Sequence, residues 1–190
     1  MPDSWRHHVD AGTGLLSGAF RRDSPHQGER PEGATIELVV VHGISLPPDG
    51  FGGRWVDDLF LGRLDPEAHP YFAGLRGLRV SAHLFVRRSG AVVQYVPFHR
   101  RAWHAGDSQW RGRADCNDIS VGVELEGAAR WPYEAAQYRR LAAILTALAT
   151  AYPAIALPDA VVGHADVAPG RKSDPWESFD WPRLRRLLKE

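Results

Sequence analysis

Three separated segments carry side chains that together would build one metal site. His42 ends the apolar run Leu38-Val39-Val40-Val41, Glu124 and Glu126 alternate with Val123 and Leu125, and His164 is followed ten positions later by Asp174. Two imidazoles and one carboxylate suit Zn²⁺, and three protein ligands leave one coordination position open for water or substrate. An open zinc with a nearby glutamate and a lysine, here Glu124 and Lys172, is equipment for hydrolysing an amide.

Each residue alone has an ordinary reading. A histidine at a strand end commonly hydrogen-bonds a loop carbonyl, and Asp174 before Pro175 suits a turn. Asp166, two residues from His164, is a rival ligand. Residues two apart in a strand share a face, so Glu124 and Glu126 are expected to project together and to disfavour joint ionisation. Without the histidines, that pair reads as a solvated strand face. Lys172 alone reads as a surface cation, but beside a metal it would stabilise a developing oxyanion. Trp103 and His104, flanked by Ala105 and Gly106, suggest a wall for a flat ligand. Arg79 and Arg113 are candidates to receive substrate carboxylates. His83 reads as a satisfied core histidine.

The elements that must position these groups follow from pattern. Ile36–Val41 reads as a strand buried on both faces. Residues 80–86 and 91–96 read as strands joined by a hairpin turn at Arg88-Ser89-Gly90, and residues 119–125 as another strand. Apolar residues at three- and four-residue spacing predict a helix over 133–152, with Pro132 at its entry and Pro153 at its exit. A brief strand at Val161-Val162 leads into His164, the segment from His164 to Asp174 reads as a loop, and a last helix is expected over 180–189. A short helix is also expected from Trp55. These elements predict an α/β fold: a single domain with a mixed central β-sheet flanked by helices. Residues 1–35 read as an irregular N-terminal covering and residues 36–190 as the zinc-site domain.

Length and composition narrow the function. A chain of 190 residues fits one domain with a proper core. Lysine and arginine total 23 and so do aspartate and glutamate, so no basic excess points to nucleic acid or an anionic membrane. One cysteine, Cys116, excludes a disulfide framework. No apolar run approaches membrane-span length and the N-terminus shows no export signal, so the expectation is a cytoplasmic, soluble enzyme or binding module, taken as a monomer.

Together the segments resemble the zinc-dependent N-acetylmuramoyl-L-alanine amidases of the AmpD-like, type 2 family, in its cytoplasmic, 1,6-anhydro-muropeptide branch. The resemblance is carried by Leu38-Val-Val-Val-His-Gly-Ile-Ser-Leu-Pro-Pro, Val80-Ser-Ala-His, Val93-Gln-Tyr-Val-Pro-Phe, Arg101-Ala-Trp-His-Ala-Gly, Cys116-Asn-Asp-Ile-Ser-Val-Gly-Val-Glu-Leu-Glu-Gly and Gly163-His-Ala-Asp-Val-Ala-Pro-Gly-Arg-Lys-Ser-Asp-Pro. It implies that His42, His164 and Asp174 hold Zn²⁺, that Glu124 is the acid/base and that Lys172 stabilises the transition state. The implied reaction cuts muropeptides between the lactyl group of (1,6-anhydro-)N-acetylmuramic acid and L-alanine, during peptidoglycan recycling. The alternatives are a non-catalytic peptidoglycan-recognition module, expected to lack a ligand, and an amidase acting on intact wall. Gly43 stands where the family commonly has asparagine and Trp176 where it has glycine, so substrate preference is expected to shift. Asp115 and Ser173 also depart from the pattern.

Overall fold

The computed structural model describes residues 6–190. Six strands make the central sheet: β1 (Phe20–Arg21), β2 (Leu38–Ile44), β3 (Leu84–Val86), β4 (Val92–Gln94), β5 (Ser120–Glu126) and β6 (Val161–Gly163). Their order is β6-β2-β5-β3-β4-β1. Strands β6, β2, β5 and β3 run parallel, β3 and β4 pair antiparallel, and β1 lies parallel to β4, so the sheet is mixed as expected.

Helices cover both faces. Val39, Val41, Val121, Val123 and Leu125 point into a core that also holds Leu141, Ile144, Leu145 and Leu148 of α2 (Ala135–Ala151) and Leu184 of α4 (Trp181–Leu187). On the other face, Phe85, Val93 and Tyr95 pack with Val56, Leu59 and Phe60 of α1 (Trp55–Phe60) and with Phe72. β2 is therefore buried on both sides, which is why its sequence is a run of valines rather than an alternation.

Several boundaries differ from the sequence expectation. The strands expected over 80–86 and 91–96 shrink to β3 and β4; before β3, Ser81 N–H turns to Trp103 O and His83 N–H to Gly122 O, while His83 O still accepts Tyr95 N–H. The hairpin turn is as expected: Arg87 N–H bonds Ala91 O at 2.9 Å and Gly90 takes a φ of 84°. The segment after His164 is not all loop. His164–Val167 forms a turn of helix, α3, where Asp166 accepts the Gly163 N–H at 2.7 Å. The N-terminal segment packs Val9 and Leu16 into the core and lays β1 along β4. Its Arg30 guanidinium bonds the carbonyls of Phe98, Asn117, Asp118 and Ser120, and burial draws its pKa down to about 10.

Candidate active site

Strand register builds the site. In β2 and β5, His42 lies directly opposite Glu124, and side chains paired across parallel strands share a face. In β6, Gly163 pairs with Val41, so the chain leaves the sheet with His164 beside His42. Three neighbouring strands thus deliver His42, Glu124 and His164 to their carboxyl ends, where ligand crevices of such sheets form. Asp174 returns to the same point because Ala165 N–H bonds its carbonyl at 2.9 Å.

The three expected ligands converge. Nδ1 of His42 and Nδ1 of His164 are 2.9 Å apart, and Asp174 Oδ2 lies 3.3 Å from the first and 3.1 Å from the second. A tetrahedral zinc with bonds near 2.0 Å needs ligand atoms about 3.3 Å apart, so the triangle matches in size and in donor type. The far nitrogens support it. His164 Nε2 is 3.2 Å from Ala105 O, an acceptor only, so that nitrogen carries the proton and Nδ1 keeps its lone pair. His42 Nε2 is 2.9 Å from His104 Nδ1, and His104 Nε2 is 3.2 Å from Ser120 Oγ, which donates to Cys116 O. Run in one direction, that chain also leaves Nδ1 of His42 unprotonated. Burial brings the His42 pKa down to about 4, which keeps it neutral, the form a ligand needs. Burial alone would raise Asp174, but its contacts with His164 and His42 hold the carboxyl well below the usual range. The residues present therefore fit a divalent zinc.

Glu124 stands beside this cluster with Oε2 buried and, among the described residues, without a hydrogen-bond partner. Burial, aided by the Asp174 charge and opposed by Lys172, pushes its pKa well above the ordinary carboxylate value. The expected coupling with Glu126 is not the cause. Glu126 shares the strand face, but its carboxylate accepts Gly52 N–H and Arg88 N–H and is buried as a loop anchor. Alternation put both glutamates on one face; the Gly52 loop then claimed one of them.

The site opens into a cleft of about 340 Å³. Glu124, His164, Lys172, Asp174, His104 and Trp176 line it on the polar side, and Ile44, Leu46, Tyr71, Leu75 and Leu78 form an apolar shelf. A larger groove of about 890 Å³ lies between Val9–Gly12 and the small side chains of α2, and among the described residues no carboxylate–imidazole cluster converges there. The substrate contacts expected from sequence are dispersed. His104 is in the cleft, behind His42. Arg79 lines a small adjoining cavity that shares Leu59, Leu75 and Leu78 with the cleft. Trp103 stacks against His26, ring centroids 6.1 Å apart, and Arg113 pairs with Glu37. His83 is the core histidine anticipated, accepting Gly122 N–H at Nδ1. Asp166, the rival ligand, is spent capping α3. Sequence reasoning missed Ser120 and the Tyr71 shelf, and singled out Trp176 only as a departure from the family pattern. Ser120 alone left a signal, since it shares the two-residue period of Glu124 and Glu126.

Comparison with known proteins gives one answer. Residues 32–177 match the family model described as N-acetylmuramoyl-L-alanine amidase. The chain is 56% identical, over 92% of each sequence, to 1,6-anhydro-N-acetylmuramyl-L-alanine amidase AmpD of Citrobacter freundii. It superposes with a TM-score of 0.90 on a crystal structure of an AmpD derivative, 54% identical and covering 95% of this chain and 98% of that one. An AmiD amidase from E. coli, solved with anhydro-N-acetylmuramic acid-L-Ala-D-gamma-Glu-L-Lys, is 30% identical with a TM-score of 0.59, over 84% of this chain and 60% of that one. No helix among the described residues is long and apolar enough to cross a membrane. On the strength of a match over 92% of the chain and the convergent site, the chain belongs to the N-acetylmuramoyl-L-alanine amidase family.

Proposed function

We propose that the protein hydrolyses the amide between the lactyl group of 1,6-anhydro-N-acetylmuramic acid and L-alanine in free muropeptides, acting as a cytoplasmic monomer in peptidoglycan recycling. The observation that carries this is the triangle of His42, His164 and Asp174 beside a glutamate whose buried oxygen has no partner among the described residues. Zn²⁺ bound there supplies Lewis acidity, acidifying water and polarising the amide carbonyl. Glu124 takes the proton from the attacking water and returns it to the departing L-alanine nitrogen, a role its raised pKa suits. Lys172, lining the same cleft, offers its ammonium to the oxyanion. The recognition-module alternative expects a missing ligand, and every ligand position here is filled. We assign Arg79, in the adjoining cavity, to a carboxylate of the stem peptide.

The test is mass spectrometry of products from anhydro-muropeptide and from intact sacculus. Free L-Ala-peptide and anhydro-N-acetylmuramic acid from the first, with little release from the second, is the expected result. Release mainly from sacculus would favour an enzyme of intact wall.

A further inference from the structure

We propose that Trp176 is the platform on which the anhydro-muramoyl sugar sits, making it a specificity-determining residue of this reaction; the inference rests on the amidase reading above. Trp176 stands two residues after Asp174 and lines the cleft with Glu124, His164 and Lys172. Its φ is 63°, in the left-handed region that a bulky side chain rarely adopts. Such strain persists only when the surroundings impose it, and it concentrates where a side chain has work to do.

The surroundings do impose it. Gly43, immediately after His42, is not among the positive-φ glycines, so its backbone does not demand glycine. What it supplies is room: a Cβ there would overlap the six-membered ring of Trp176 and the hydroxyl of Tyr133. Tyr133 in turn donates to Pro175 O at 3.2 Å, holding the peptide that precedes Trp176, and Gly127 clears space for the Tyr133 ring. Gly43, Gly127 and Tyr133 thus cooperate to seat one indole over the end of β2, flanking two of the three ligand positions.

The chemistry of the substrate says what that indole meets. A carbonyl bound between the ligand cluster and Lys172 brings its two substituents against the cleft walls. The sugar is the larger uncharged one. Its 1,6-anhydro bridge turns two hydroxyls into one ether and leaves a compact C–H surface. An aromatic face favours such a surface and gains less from a muramic acid with free, hydrated hydroxyls. The indole therefore discriminates for the anhydro form.

The experiment compares the zinc-loaded wild type with Trp176→Gly, which relieves the backbone strain, and Trp176→Phe, which keeps a ring. Steady-state kinetics are measured on anhydro-muropeptide and on the same peptide carried by reducing N-acetylmuramic acid. Trp176→Gly should raise KM for the anhydro substrate roughly tenfold, the worth of about 50 Å² of lost apolar contact, while kcat changes little. Its preference for anhydro over reducing sugar should shrink by a similar factor, and Trp176→Phe should fall between. Titration with 1,6-anhydro-N-acetylmuramic acid alone should perturb an indole N–H resonance that Trp176→Gly lacks. An unchanged preference in Trp176→Gly, or an equal fall in kcat on both substrates, overturns the platform while leaving the amidase intact. A wild type that cleaves neither substrate removes the amidase reading and this inference with it.

Discussion

His42 Nε2 lies 2.9 Å from Nδ1 of His104, and this contact fixes which nitrogen of His42 faces Asp174 and His164. His104 is held by Ser120 on its far side and by Asn117 through its backbone N–H, so the orientation of His42 is set by residues from β5 and the turn before it. Removing such an outer partner typically lowers metal affinity by about 10- to 100-fold. His104→Ala should do so in competition with a zinc chelator, with His164 and Asp174 untouched. Unchanged affinity would show that His104 does not orient the site.

Gly122 offers a second route to the same element. A Cβ at this position would overlap the His104 ring. Gly122→Ala should therefore displace the imidazole, lower zinc affinity like His104→Ala, and cost about 1–3 kcal/mol of stability through overpacking. Chemical denaturation and the same chelator competition test both effects. Wild-type values in both would mean that the ring has room the structure does not show.

Glu124 gives a pH signature. Burial raises its pKa, so the folded chain holds this proton at pH values where the unfolded chain has released it. Stability then falls as pH rises from about 4.5 through the folded-state pKa, because over that window the folded state binds more protons. In zinc-free protein, Glu124→Gln should melt higher than wild type at pH 7, and the two should coincide near pH 4. The same substitution should reduce turnover of the zinc-loaded enzyme by about 10²- to 10⁴-fold. Near-normal turnover with zinc bound would remove Glu124 from the mechanism.

Lys172 should act on the chemical step. Loss of one oxyanion donor costs about 10²- to 10³-fold in kcat. Lys172→Ala is expected in that range with little change in KM. A change confined to KM would make Lys172 a binding residue instead.

How much of this could be read from the sequence depends on the residue. His42 and His164 were legible because each closes an apolar run and Glu124 because it alternates with Val123 and Leu125, and parallel strands carry such residues to one edge of the sheet. The mixed sheet and α2 were legible for a similar reason: a run of valines suits a strand covered on both faces, and a three-to-four spacing suits a helix with one buried side. Asp174 and Asp166 were not separable by pattern, since only folding shows that Asp166 caps α3. Glu126 misled, because alternation reports a shared face and says nothing of the Gly52 loop that occupies the carboxylate. Arg79, Trp103 and Arg113 carried no positional information, as arginines and aromatics serve surfaces and cores equally well. Trp176 had no signal from spacing, and its place depends on the room left by Gly43 and Gly127.

Whether His42, His164 and Asp174 hold one catalytic zinc is decided by stripping the protein with a chelator and titrating Zn²⁺ back while following release of L-Ala-peptide from anhydro-muropeptide. The stripped chain should release nothing and recover fully at one equivalent, and Asp174→Ala should recover nothing at the same concentration. Undiminished release by the stripped chain, or full recovery in Asp174→Ala, would contradict such a site.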